Sequence, residues 1–287
     1  MQKDPLKSTV IRSLIFSSKS ITSGKNMLNQ GMVSWIILTF LFSGIMLGVL
    51  YLSSTHKYIP KIREHPGIQA IKEALGRATE MGKPVAYSPG TSTLYDTKYA
   101  GDTAAALTIL GYTAKEAVKM GSKLIVGIAQ PTVLPVAEEI VRQAYRAENK
   151  PEEYVEEETV QFYSPNQWGF ATSYIGMMHR EKVAANFIFG GHAAEAMLIA
   201  ESGATMGAIQ VAGSTNVYQL PYYLVSCDYT LIGEDEFAAA AYLSQDPTHK
   251  GIIFGQDITK LISAALILLG AILATFGNNV VKTFLST

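Results

Sequence analysis

Hydrophobic positions divide this chain into two uninterrupted apolar runs and, between them, a long stretch of short alternating patterns. The first run, MVSWIILTFLFSGIMLGVLYL at residues 32–52, carries no ionisable side chain over 21 positions. At about 1.5 Å per helical residue it spans roughly 30 Å, the thickness of the hydrocarbon layer of a bilayer. Trp35 and Tyr51 stand near its ends, where amphipathic rings favour the membrane interface. A secretory leader is the competing reading, but the run is long for one and no small-residue cleavage pattern follows it. The second run begins LISAALILLGAILATFG and stays uncharged over 21 positions, 261–281. A buried core helix would look similar; a run this apolar predicts a second membrane helix. Both runs carry small residues four apart, Gly44 with Gly48 and Gly270 with Ala274, a spacing that lets helix backbones pack closely in lipid.

Residues 56–257 change character. HPGIQAIKEALGRATEMG sets Ile68, Ile71, Leu75 and Ala78 on one helical face behind Pro66. PVAYSPG reads as a short strand ending in turn residues. Asp102 is placed to cap a helix over TAAALTIL, and Thr113 with Glu116 has capping-box spacing for the start of another. Further strands are expected at KLIVGIA, VQFY, ANFIF and GAIQVAG. Helices are expected at TVLPVAEEIVRQAYRAE, QWGFATSYIGMMHREK, HAAEAMLIAES and EDEFAAAAYLS. Alternation of this kind predicts an α/β domain with a mainly parallel, Rossmann-like sheet covered on both faces. The predicted organisation is therefore a basic tail at 1–31, a span at 32–52, an α/β domain at 56–257 and a second span at 261–281.

Charge refines this picture. The tail carries Lys3, Lys7, Arg12, Lys19 and Lys25 against Asp4, whereas 56–257 holds 16 basic and 23 acidic residues. An acidic domain lacks the basic stripe that a nucleic-acid backbone requires, so nucleic acid is not an expected partner. Two spans put both termini on one side of the membrane. Lys57, Lys61, Arg63, Lys72, Lys250 and Lys260 outnumber Lys19, Lys25 and Lys282 near the spans, which favours a cytoplasmic domain in the cell membrane. The basic tail, which suits an anionic inner leaflet, argues the other way. The single cysteine, Cys227, allows no internal disulfide and no cysteine pair for a metal.

Ligands of parallel sheets bind beyond the carboxyl ends of the strands. In this chain those ends supply Ser88, Gly90, Thr91 and Ser92, then Gly190, Gly191 and His192, then Gly213, Ser214, Thr215 and Asn216. Convergence would make a neutral, hydrogen-bonding crevice. Equally, such loops need glycine for positive φ and Ser, Thr or Asn as helix caps. GGHAAE lacks the spacing of a dinucleotide fingerprint, and no Walker loop, nucleophile elbow or zinc motif occurs. His192 and Glu195, three apart, are the weak acid/base candidates, with the carboxylate orienting the imidazole. No cofactor and no metal centre is expected.

The block from GKPVAYSPGTSTL to FIFGGHAAEAMLIAESGATMGAIQVAGSTN resembles an uncharacterised family of prokaryotic membrane proteins, a domain of unknown function with two membrane helices flanking an α/β domain. The resemblance implies class and topology and brings no catalytic residue, substrate or cofactor. Three roles stay open. One is a lipid-anchored interaction or scaffold module that forms a homo-oligomer or joins other membrane-protein subunits, with the aromatic segment Tyr218 to Tyr229 as its partner surface. The others are a small-ligand sensor and an enzyme, both using the crevice.

Overall fold

A computed structural model of the chain describes residues 31–63 and 65–277; positions 1–30 of the basic tail and the last four positions of the second predicted span lie outside them. The chain divides into two compact units, Tyr58–Ile253 and the described parts of Met1–Lys57 with Phe254–Thr287.

Helix α1 (Gly31–Ser54) covers the first apolar run. In the α/β unit, helices α2 (Pro66–Glu80), α3 (Ala100–Met120), α4 (Leu134–Ala147), α5 (Glu156–Thr159), α6 (Gln167–Glu181), α7 (Glu195–Met206), α8 (Leu220–Ser226) and α9 (Glu234–Ser244) surround six strands. These are β1 (Val85–Ser88), β2 (Leu124–Ile128), β3 (Val160–Phe162), β4 (Ala185–Ile188), β5 (Ile209–Ser214) and β6 (Tyr229–Ile232). Helix α10 (Pro247–Thr275) follows without a break between its polar start and the second apolar run. Both α1 and α10 are long and apolar enough to cross a membrane. Phe40 and Leu47 on one and Leu261 and Ile267 on the other are exposed, unlike side chains of a buried core helix.

All strand pairs are parallel, in the order β3-β2-β1-β4-β5-β6. This is the doubly wound arrangement, and its strand order reverses between β1 and β4. Period-two side-chain alternation feeds two cores. Val85, Tyr87, Phe187, Phe189 and Val211 pack with α2, α3, α4 and α9 on one face. Ala86, Ile188 and Ala212 pack with Phe170, Tyr174, Ile199 and Tyr223 of α6, α7 and α8 on the other. Each such large apolar side chain removed from water contributes about 1.5–3 kcal/mol.

Two local expectations give way. The two helices expected between Asp102 and Met120 are one, because Thr113 lies buried mid-helix with its hydroxyl bonded to Ile109 O at 2.9 Å rather than capping a new start. Asp102 sits inside the first turn instead of capping it; Tyr99 holds the cap position, and the Asp102 carboxylate bonds Thr215. Conversely, His65 caps α2, its Nδ1 accepting from Gly67 N at 3.1 Å.

A polar ladder crosses the second core. Tyr174 donates to Asn186 Oδ1 (2.9 Å), Asn186 Nδ2 donates to Gln210 Oε1 (2.9 Å), and Gln210 Nε2 donates to Ala200 O and Ser226 O (both 2.7 Å). Asn186 and Gln210 stand opposite each other in β4 and β5, so the ladder ties sheet register to helices α6, α7 and α8.

Candidate functional site

At the reversal point the loops after β1 and β4 close on each other. Gly90 (φ 100°) and Gly190 (φ 84°) both occupy left-handed backbone that glycine tolerates. A Cβ on Gly190 would lie 2.3 Å from Pro89 O, and one on Gly90 would lie 2.9 Å from Gly191 O. Gly191 O accepts from Thr91 N (2.9 Å), Ser92 N (3.2 Å) and Ser92 Oγ (3.0 Å). Glycine is therefore required here for loop-to-loop contact. Gln130 Nε2 adds a donor to Thr91 O at 2.8 Å from the neighbouring β2 loop.

The chain's own carboxylates occupy the backbone donors that a phosphate would use. Glu195 Oε1, at the start of α7, accepts from Thr91 Oγ1 (2.7 Å) and from Ala193 N (2.9 Å). Glu236 Oε1 reaches from α9 to Gly190 N at 2.8 Å. A helix start and a glycine turn are ready anion sites. In this protein both receive an internal carboxyl group.

His192 is buried beneath them. Its Nε2 lies 3.0 Å from Ser88 Oγ, while Nδ1 faces Gly190 O (3.4 Å) and the Tyr223 hydroxyl (3.3 Å). A carbonyl only accepts, so a proton on Nδ1 leaves Nε2 to accept from Ser88. Burial lowers the imidazole's pKa, partly opposed by the charge of Glu195. Glu195 and His192 share this environment, but the Glu195 Oε1 bonds go to Thr91 and Ala193, not to the imidazole as the three-residue spacing suggests. Burial, and then Asp102, push the Glu236 carboxyl well above the usual carboxylate range. Burial also raises Asp102, against the Thr215 hydroxyl that favours its charged form. The Tyr223 hydroxyl is raised by burial and feels Glu236 and Glu195 together.

The remaining predicted residues divide between structural tasks. Gly213 is a packing position, since a Cβ there would meet Phe189 at 2.9 Å. Ser214 donates to Gln219 Oε1 (2.7 Å), Thr215 to Asp102 (2.6 Å), and Asn216 Nδ2 to the Tyr99 hydroxyl (3.0 Å). Ser88 and Gly190 thus meet His192, Thr91 and Ser92 meet Gly191 beside it, and Thr215 and Asn216 bond toward α3 and the residue that caps it. The sequence reading missed Asp102, Gln219, Tyr223 and Glu236 as members of this cluster. For Asp102 and Glu236 the only signal was an acid near a helix start, which the helix dipole already explains, and Gln219 and Tyr223 gave none. Three buried polar atoms in the cluster lack a hydrogen-bond partner among the described residues: Glu195 Oε2, Gln219 Nε2 and Glu236 Oε2. Burial pushes the Cys227 thiol up to about 12, which removes it as a thiolate nucleophile. Among the described residues no group of three or more His, Cys, Asp or Glu side chains is arranged to hold a metal ion.

The aromatic segment behaves differently from the crevice. Tyr223 points into the core, but Val217, Tyr218, Leu224 and Val225 are 68, 75, 57 and 87% exposed. Tyr229 and Ile232 on the edge strand β6 are partly exposed as well, on opposite faces of the sheet, with Tyr229 beside Ala70, Glu73 and Arg77 of α2.

The model of a family described as a domain of unknown function (DUF6754) matches residues 23–285. Comparison with curated proteins returns no match.

Proposed function

The chain belongs to the DUF6754 family, a domain of unknown function, and from that premise we propose that it is a membrane-anchored interaction module. In this reading α1 and α10 hold the α/β unit at the cytoplasmic face of the cell membrane, and the unit joins a homo- or hetero-oligomeric assembly. One observation carries the proposal: the apolar side chains Val217, Tyr218, Leu224 and Val225, at and just before α8, lie open, while the crevice between β1 and β4 is filled by the chain's own side chains. Exposed apolar patches of this kind mark docking surfaces, and an edge strand offers unpaired backbone groups as well. Purified in mild detergent, the wild type is expected to run as an oligomer in native mass spectrometry. Leu224→Glu with Val225→Glu should dissociate it without lowering its melting temperature. A wild type that is monomeric and carries no bound subunit, in detergent and in membranes alike, would defeat the reading.

A second reading, a small-ligand sensor or enzyme at the crevice, is favoured by the three unpartnered atoms of Glu195, Gln219 and Glu236. Because carboxylates already fill the anion cradles, its ligand would be a cation or a hydroxyl-bearing molecule rather than a phosphate. His192 would then serve as the base. A thermal-shift panel of amines, polyols, nucleotides and acids tests it: saturable stabilisation confined to the first two classes is expected. No shift with any amine or polyol removes this reading.

A further inference from the structure

A second concavity lies at the amino ends of the strands, at the opposite end of the sheet from the crevice. Its volume is about 280 Å³, and it opens between α2 and the first residues of β5 and β6. Ala70, Glu73, Ala74 and Arg77 line it from one face of α2, and Ile209, Asp228 and Tyr229 line it from the sheet. Ala70 and Ala74 are buried and form an apolar floor, where side chains no larger than a methyl leave the space open.

Three charges stand around this floor without neutralising one another. Glu73 and Arg77 are four apart with the acid first, the order that ordinarily pairs along a helix. Neither side chain makes an ion pair or hydrogen bond among the described residues, and Asp228 does not take the guanidinium either. Asp228 is held by the sheet instead: its Oδ2 accepts from Gln210 N at 2.7 Å, and its own N–H donates to Gln210 O at 3.0 Å. That clamp fixes the carboxylate and leaves Oδ1 with no partner among the described residues.

A fixed acid, a second acid and an unpaired guanidinium around an apolar floor suit a molecule that carries both an ammonium and a carboxylate. The planar fork of arginine matches a carboxylate, and two carboxylates match an ammonium. Size narrows the class further. At roughly 30 Å³ per water-sized group the cavity admits about nine non-hydrogen atoms, enough for leucine and too few for a nucleotide. We propose that this cavity binds a free apolar α-amino acid. Its carboxylate lies on Arg77, its ammonium between Glu73 and Asp228, and its side chain against Ala70, Ala74 and the Tyr229 ring. The site is separate from the α8 surface and from the crevice, so its failure leaves both of those readings standing.

The test uses the full chain in mild detergent, with leucine as the probe, by scanning fluorimetry and by equilibrium dialysis of the radiolabelled amino acid. Leucine at roughly 10 mM is expected to raise the melting temperature by about 2–4 °C, as tenfold excess over a millimolar Kd would. N-acetylleucine and leucine amide, each lacking one of the two charges, should bind at least tenfold more weakly. Arg77→Gln and Asp228→Asn should each weaken leucine at least tenfold; the asparagine keeps an oxygen for Gln210 N. Should Asp228→Asn melt early, the exposed Arg77→Gln decides alone. No saturable leucine binding, or unchanged affinity in Arg77→Gln, overturns the proposal. Leucine amide binding as tightly as leucine, with Arg77→Gln indifferent, overturns it in favour of amine binding at the crevice.

Discussion

At the scale of single residues, the carboxyl of Glu236 is among the most consequential side chains at the carboxyl ends of the strands. Glu236 is fully buried beside Asp102 and its pKa is well raised. A carboxyl that holds more protons folded than unfolded makes stability fall as pH rises from the ordinary glutamate range, about 4, toward the raised value. Glu236→Gln keeps an oxygen for Gly190 N and removes the charge. It is expected to raise the melting temperature by roughly 2–4 °C at pH 8, about 1 kcal/mol, with the gain vanishing near pH 4. Scanning fluorimetry across pH measures both ends. His192 has the opposite sign: its lowered pKa means that stability declines as pH falls below about 6.5. His192→Gln should flatten that acid limb. Gly190→Ala should be among the most disruptive single changes, since a methyl would meet Pro89 O at 2.3 Å in backbone that disfavours side chains. Loss of roughly 3 kcal/mol or more is expected in a denaturant titration.

At the scale of elements, periodicity made most of the fold legible. Ile68, Ile71, Leu75 and Ala78 are the buried face of α2, as their spacing predicts, and ANFIF and GAIQVAG are adjacent central strands. What stayed illegible has physical causes. Thr113 reads as a cap because hydroxyl-x-x-acid recurs at helix starts, but helix-interior back-bonding uses the same hydroxyl. Asn186 looks out of place in an apolar strand until Gln210 and Tyr174 come beside it, contacts separated by 24 and 12 positions that no local pattern encodes. The crevice was half legible: glycine and hydroxyl positions announced the loops, whereas Glu236 reaches Gly190 from 46 residues away. The polar ladder supplies its own prediction. Asn186→Leu strands the Tyr174 hydroxyl and Gln210 Oε1 in the core, each costing about 1–3 kcal/mol, so the melting temperature should drop by at least roughly 4 °C.

At the scale of the whole molecule, two apolar helices bracket a doubly wound unit whose fold alone says nothing about activity. The anchored reading predicts that Thr55→Cys and Thr248→Cys, each in a Cys227→Ala background, are labelled by an impermeant maleimide from the same side, in inside-out vesicles only. Labelling from opposite sides would end it. The order of strands has a kinetic consequence too. Strand β1 pairs β2 about forty residues on, but its other edge waits for β4, with Val85 opposite Ala185 about a hundred residues later. During synthesis at roughly 5–20 residues per second, a half-sheet of β1 to β3 can assemble and then present a bare central edge for about one to five seconds. Nascent chains stalled between residues 163 and 185 should therefore be the most prone to aggregate and to recruit chaperones, more than shorter or longer ones.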